Sequence, residues 1–147
     1  MIKISHRGNI NNIDHTRENS PSYIDEAIRM GYDVEIDIRF INDQLYLGHD
    51  IPEYKIDINF LTKRKDNLWV HTKDFKSLSR LISLPLRIFF HEKEAHTIIH
   101  NTNLIWSHNL NESNENSIIP LLTRQSISES SKYMHVYGIC SDFVGLI

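Results

Sequence analysis

The sequence is short of three things that would each have directed its reading. It has one cysteine, Cys140, among 147 residues, which excludes an intramolecular disulfide and any cysteine-cluster metal site. A lone cysteine is more often a small buried hydrophobe than a nucleophile. Positive charge is not in excess, since 16 Lys and Arg face 19 Asp and Glu for a net charge of −3, so there is no basic footprint for nucleic acid. No apolar run reaches the length of a membrane span, and the N-terminal MIKISHRG offers no apolar core of signal-peptide length. The expectation is a cytoplasmic protein with no transmembrane segment and no nucleic-acid partner.

What is present is ordinary in bulk and unusual in one respect. At 17.3 kDa, 40% hydrophobic and 24% charged, the chain is most simply one globular domain spanning residues 1–147, large enough to bury a core. Histidine is the exception: there are nine, and His6, His49, His71 and His91 each fall at or near the end of an apolar, strand-like run.

The stretch DVEIDIRFINDQLYLGHD, Asp33 to Asp50, organises the rest. A strand over Val34 to Arg39 sends Val34, Ile36 and Ile38 to one face and Glu35, Asp37 and Arg39 to the other. Carboxylates two residues apart on one face repel unless a cation or proton lies between them; with Arg39 beside them, a solvated, salt-bridged surface is the competing reading. The alternation Leu45-Tyr46-Leu47 then ends on Gly48-His49-Asp50. A titratable pair on one strand thus neighbours a histidine at the end of the next.

Along the chain, Met1 to Ser5 reads as a strand ending in His6-Arg7-Gly8. Polar residues 8–20 form a loop. Ser20 as N-cap and Pro21 at the first helical position open a helix striped by Ile24, Ala27 and Ile28 and closed by Gly31. Strand, helix and strand in the first 40 residues are a βαβ signature, hence a parallel sheet. Further strands are expected at Leu68–Thr72, Arg87–His91, Ile118–Leu122 and Met134–Cys140, with two short strands or a hairpin over residues 97–107. Pro120 argues for an edge or bulge. A second helix, capped by Asp74, runs to about Ser83 and stops before Pro85. About eight strands and two convincing helices fit either an open mixed sheet with helices on one face or a minimal (β/α)8 barrel with several outer helices shortened or missing. Polar groups at strand C-termini favour the TIM-type barrel, although such barrels typically run to about 250 residues.

Taken in order, His6-Arg7-Gly8, Glu18-Asn19, Glu35-x-Asp37 and His49-Asp50 resemble the glycerophosphodiester phosphodiesterase family, and Gly138-Ile139-Cys140-Ser141-Asp142 is similar to its last-strand signature. The resemblance implies a barrel that hydrolyses a small-molecule phosphodiester to glycerol 3-phosphate and an alcohol. By it, His6 and His49 are the acid/base pair, Arg7 and Lys73 bind phosphate, and Glu35 and Asp37 hold a divalent metal, Mg²⁺ or Ca²⁺ first of all. The residue types suit that chemistry: two near-neutral imidazoles can take and return a proton, and a hard cation takes carboxylate oxygens. The third ligand departs from the family pattern, in which an acidic residue stands two before the lysine. Here that position is His71. Either His71 ligates a softer ion such as Mn²⁺ or Zn²⁺, or Glu92 completes the set. Glu18, Asn19, Asp50, His91 and Asp142 are supporting residues, while His15, His96, His100, His108 and His135 are read as surface or packing groups. Two other readings stay open: a non-catalytic module binding glycerol phosphate or a phosphodiester, and an enzyme for lyso-phospholipid-type substrates. A barrel stripped of helices would expose strand faces such as Ile88 and Phe90, which a homodimer would cover.

Overall fold

Strand β1 (Ile2–His6) is the centre from which the sheet grows. It pairs in parallel with β2 (Asp33–Ile41) on one side and with β10 (Gly138–Ser141) on the other. The polar loop and helix α1 (Pro21–Arg29) return the chain from β1 to β2. Ser20 caps that helix by accepting from the Tyr23 N–H at 3.3 Å, and Gly31, at φ 90°, ends the turn that follows it, as the sequence predicts.

Beyond its middle, β2 does two jobs. Residues Val34 to Ile38 pair in parallel with β5 (Leu68–Thr72), and Ile38 to Ile41 pair antiparallel with β3 (Gln44–Leu47). The two-residue turn between them is Asn42-Asp43, with φ of 50° and 58°. Left-handed backbone at both positions is the geometry that two-residue hairpins require, and Asn and Asp tolerate it. The resulting register sets Leu47 opposite Ile38 and brings the Gly48 N–H to the Asp37 carbonyl at 3.1 Å. His49 is therefore delivered beside the strand that carries the two carboxylates. A third hairpin strand, β4 (Tyr54–Ile56), pairs with β3 and lies at the sheet's edge.

After β4 come α2 (Ile58–Thr62), β5, α3 (Phe75–Leu81) and β6 (Arg87–Phe89), the last parallel to β5. Asp74 caps α3 through the Ser77 N–H at 2.7 Å and also accepts from the Phe40 N–H at 3.2 Å, tying helix to sheet. β7 (His96–Ile98) and β8 (Ile105–Ser107) form an antiparallel hairpin, β9 (Ser117–Pro120) joins β8 in parallel, and α4 (Arg124–Ser128) precedes β10. An isolated bridge between Ile88 and His100 links β6 to the residues just past β7.

The computed structural model, which describes residues 1–147, is thus a ten-stranded mixed sheet curled into a half-barrel with four short helices. The expected (β/α)8 TIM-type barrel is overturned. The pairs β2–β3, β3–β4 and β7–β8 are antiparallel, and such pairs need only tight turns. A regular parallel crossover takes a dozen or more residues, usually a helix. Residues 108–116, between β8 and β9, hold one short 3-10 turn instead. The strand expected over Met134–Cys140 also begins later: a 3-10 turn over Ser130–Tyr133 precedes it, and pairing starts at Gly138. Pro120 is accommodated at the end of β9, past Ile118, where the β8 pairing stops.

Two apolar layers sandwich the sheet. On the outer face Val34, Ile36 and Ile38 pack with Ile24 and Ala27 of α1 and Leu81 of α3, each large aliphatic side chain contributing about 1.5–3 kcal/mol on full burial. On the concave face Ile4, Trp69, Phe89, Trp106, Ile118 and Cys140 form a second layer. Ile88 lies in the outer core and Phe90 is half-buried, so Ile88 is not the exposed apolar surface on which the homodimer expectation drew. No helix is long and apolar enough to cross a membrane.

Gly48 is the tightest point of the hairpin that presents His49. Its φ is 143°, and a Cβ there would stand 2.1 Å from the Ile51 carbonyl oxygen. Arg39 Nε donates to the Gly48 carbonyl at 3.2 Å and the His49 carbonyl at 3.1 Å, clamping the same turn. Gly48→Ala is therefore expected to destabilise the protein by about 1–3 kcal/mol through backbone strain, read as a lower urea midpoint with an unchanged slope.

Candidate functional site

The C-terminal ends of the parallel strands converge on one mouth. There Glu35 and Asp37 of β2 are buried on the concave face, 2% and 0% exposed. Registration with β1 sets His6 beside Glu35, and registration with β5 sets His71 beside Asp37. Isolated charges at such depth would cost several kcal/mol each, so their neighbours decide whether they stay ionised.

Asp37 is held from four sides. Arg7 Nε lies 2.9 Å from Oδ2 in an ion contact whose N–H is not aligned for a hydrogen bond, while His71 Nδ1 is 3.3 Å and Lys73 Nζ 3.9 Å from Oδ1. Asn19 clasps the same residue twice, donating from Nδ2 to Oδ2 at 3.0 Å and accepting the Asp37 N–H on its own Oδ1 at 3.0 Å. Burial works against ionisation of Asp37, but His71, Arg7 and Asn19 outweigh it and hold the carboxyl well below the usual range.

The elements that bring these groups in are strained where they turn. Arg7 has φ 55° and Asn19 φ 59°, a left-handed backbone uncommon for residues other than glycine. The Arg7 N–H donates to the Glu35 carbonyl at 3.0 Å, and the Asn19 N–H to the Arg7 carbonyl at 2.9 Å. That pair of bonds folds the loop back over β2. The Arg7 guanidinium also reaches Glu18, Nη1 donating to Oε2 at 3.2 Å.

His6 is fixed by Asp142 at the end of β10, Nδ1 to Oδ1 at 2.7 Å, which leaves Nε2 facing Glu35 Oε2 at 3.8 Å. Burial lowers its pKa, yet the hydrogen bond to Asp142 and the charges of Glu35 and Asp142 raise it further, for a net upward shift. His71 behaves in the same way, with burial opposed by Asp37 and Glu35 and a net rise. Its ring stacks with two neighbours from the β6 side, Phe89 at 4.7 Å and His91 at 4.5 Å, whose own centroids are 6.1 Å apart. His91 is pushed the other way, down to about 4, by burial and then by the positive charge of His71, His108 and Lys73.

A cavity of about 170 Å³ opens here, lined among others by His6, Arg7, Glu35, His49, His71 and Lys73. Both predicted acid/base histidines and both predicted phosphate-binding cations therefore face one space with Glu35, while Asp37 lies fully buried behind it. His49 is the most open of them and takes Asp50 as a neighbour, Nδ1 to Oδ1 at 2.8 Å.

Glu35, Asp37 and His71 offer ligand atoms within 4.8 Å of one another, a group that could hold a metal ion. Glu35 Oε2 and Asp37 Oδ1 are buried without a hydrogen-bond partner in the chain, although buried polar groups are otherwise nearly always partnered, and His71 turns Nδ1 toward both residues, 3.3 Å from Asp37 Oδ1 and 3.6 Å from Glu35 Oε1. Two carboxylate oxygens and an imidazole suit a divalent ion. Of the two expected candidates for third ligand, His71 is the one placed beside the carboxylates. Glu92 is exposed on the segment after β6 and outside that group.

Sequence reasoning passed over two residues. Asn9 is fully buried and joins the site's supports: Nδ2 donates to Glu18 at 2.9 Å and to Asp142 at 2.8 Å, while Oδ1 accepts from the Asp14 N–H and the Tyr23 hydroxyl. Nothing in a polar loop marks one asparagine as a hub. His108, read as a surface or packing residue, lines the cavity and stands edge-on to His91 at 4.6 Å. Its signal was the one shared by His6 and His91, a histidine at or near the end of a strand. No known family pattern and no curated protein matches the chain.

The His6–Asp142 pair makes a pH prediction. In metal-stripped protein followed by NMR, His6 should titrate above an ordinary histidine, and Asp142→Asn should lower its pKa because burial is then less opposed. The stability that the pair contributes is complete below about pH 6.5 and lost as pH rises through the folded value; His91 has the opposite sign, costing stability as pH falls from about 6.5 toward 4.

Proposed function

We propose that the chain is a metal-dependent phosphodiesterase of the glycerophosphodiester type. The observation that carries this reading is the pair of buried carboxylates with unpaired oxygens, flanked by His71, Arg7 and Lys73, of which Glu35 lines a cavity that both His6 and His49 also line. An anionic phosphodiester needs positive charge around its oxygens and two proton-transfer groups, and this cavity offers both. The order of His6-Arg7-Gly8, Glu35-x-Asp37 and His49-Asp50 supports the same reading by resemblance.

Glu35, Asp37 and His71 would hold the cation, whose chemistry is to polarise the phosphoryl group and neutralise its charge. The imidazole donor tilts the set from Mg²⁺ or Ca²⁺ toward Mn²⁺ or Zn²⁺. Arg7 and Lys73 bind the phosphoryl oxygens, Arg7 with its guanidinium already braced by Asp37 and Glu18. His6, oriented by Asp142, and His49, oriented by Asp50, are the two groups that take a proton from the attacking oxygen and return one to the leaving oxygen. A cavity of about 170 Å³ suits the phosphoryl group and glycerol of such a substrate, and a lyso-phospholipid would place its acyl chain outside it.

Hydrolysis of glycerophosphocholine by purified protein, with Mg²⁺, Ca²⁺, Mn²⁺ and Zn²⁺ compared, tests the reading. His6→Ala and His49→Ala should each lower kcat by about 10²–10⁴-fold, and Glu35→Gln should lower turnover and raise the metal concentration needed for it. Equal turnover by wild type and all three variants would overturn the assignment. Tight binding of glycerol phosphate without turnover under any metal would make the chain a binding module instead.

A further inference from the structure

The turn that follows the first histidine also sets an asparagine between two groups that the proposed reaction uses. His6-Arg7-Gly8-Asn9 is closed by the Asn9 N–H, which donates to the His6 carbonyl at 2.9 Å, with φ of 55° at Arg7 and 98° at Gly8. Positive φ at both central residues reverses the chain tightly, and the Asn9 side chain ends fully buried. A Cβ at Gly8 would stand 2.6 Å from the Tyr23 ring. That ring therefore packs on the turn, and its hydroxyl donates to Asn9 Oδ1 at 3.3 Å.

A carboxamide offers two hydrogens and one acceptor oxygen, and here all of them are used. Nδ2 donates to Asp142 Oδ1 at 2.8 Å and to Glu18 Oε1 at 2.9 Å, while Oδ1 accepts from the Asp14 N–H at 3.0 Å as well as from Tyr23. Turned over, the amide would set its oxygen against two carboxylates. Its orientation is thereby fixed.

The two carboxylates lead to different parts of the site. Asp142 Oδ1 also meets His6 Nδ1 at 2.7 Å; a carboxylate oxygen accepts, so the ring hydrogen lies on Nδ1 and Nε2 is left for proton transfer. Glu18 Oε2 accepts from Arg7 Nη1 at 3.2 Å, and Nε of the same guanidinium is 2.9 Å from Asp37. One buried nitrogen thus holds the partner of the histidine and the partner of the arginine.

We propose that Asn9 is a positioning residue that aligns His6 through Asp142 and Arg7 through Glu18, so that the acid/base group and the phosphate-binding group are set together. The roles given to His6 and Arg7 rest on the phosphodiesterase reading; the alignment itself does not. Groups that act on a substrate need neighbours that lock their own side-chain conformations, and Asn9 supplies that lock to two of them without touching the cavity.

Turnover of glycerophosphocholine by Asn9→Ala, compared with Asp142→Asn, Glu18→Gln and the two double variants, tests it. Asn9→Ala is expected to lower kcat at least about tenfold, since misplacement by about 1 Å can cost about 10²-fold, and to raise KM. The kcat loss should disappear in the Asp142→Asn background and the KM change in the Glu18→Gln background, because residues acting through one another are not additive. A side chain that only supports the fold gives additive losses, and additivity overturns the proposal. The downfield Nδ1–H proton resonance of His6 reports its hydrogen bond to Asp142 and needs no turnover. It should be present in wild type and weakened or lost in Asn9→Ala; its absence from wild type, or an unchanged resonance in the variant, overturns the proposal. If wild type hydrolyses no phosphodiester, the phosphodiesterase reading falls and the resonance still decides whether Asn9 aligns His6. Asn9→Asp keeps the acceptor oxygen and loses both hydrogens, and it replaces Asn9→Ala if that variant does not fold. Loss of the fold in both would make Asn9 a structural residue only and overturn the proposal.

Discussion

The constraint on which the structure depends is the burial of two carboxylates on one face of one strand. Glu35 and Asp37 sit on the concave side of β2, next to an apolar layer that includes Ile4, Trp69 and Phe89. Water does not compensate their charge, so the chain has to. Each compensating group comes from a different element: His6 and Arg7 from the end of β1, His71 and Lys73 from β5 and its exit, and Asn19 from the loop before α1. Assembly of these charges and assembly of the sheet are the same event, because the partners meet only when the strands are in register.

A ring of support keeps the compensating groups in place. Asn9 connects Glu18, which holds Arg7, to Asp142, which holds His6. The left-handed backbone at Arg7 and Asn19 is a local cost, sustained by the hydrogen bonds that fold the loop onto β2. Against one side of His71 lie Phe89, stacked in turn on Trp106, and His91, met edge-on by His108. The imidazole is thereby confined in the plane that points Nδ1 at the carboxylates.

Much of the local structure was legible. The caps at Ser20 and Asp74 and the sidedness of β2 follow from short-range rules, because capping and alternation depend on neighbours within a few residues. The grouping of His6, Arg7, Glu35, Asp37, His49 and Lys73 was legible through motif order. The architecture was not. Strand count and strand-end polarity suited a parallel barrel, but the chain closes several connections with hairpins and turns, a choice made by which strands find each other. Glu92 illustrates the same limit at the scale of one residue: it follows a strand that borders the site, yet its side chain stands on an exposed segment away from Glu35 and Asp37.

The amino-acid order by itself determined that Glu35 and Asp37 share a face opposite Val34, Ile36 and Ile38, because successive side chains on a strand must alternate. It also determined that histidines end several strands. Only the tertiary structure decided that this face is buried as fully as the apolar one, that His71 rather than Glu92 stands beside the carboxylates, and that His108 meets His91. Those outcomes rest on pairing register and sheet curvature, which are set by contacts between residues far apart in the chain and leave no mark in any local stretch of it.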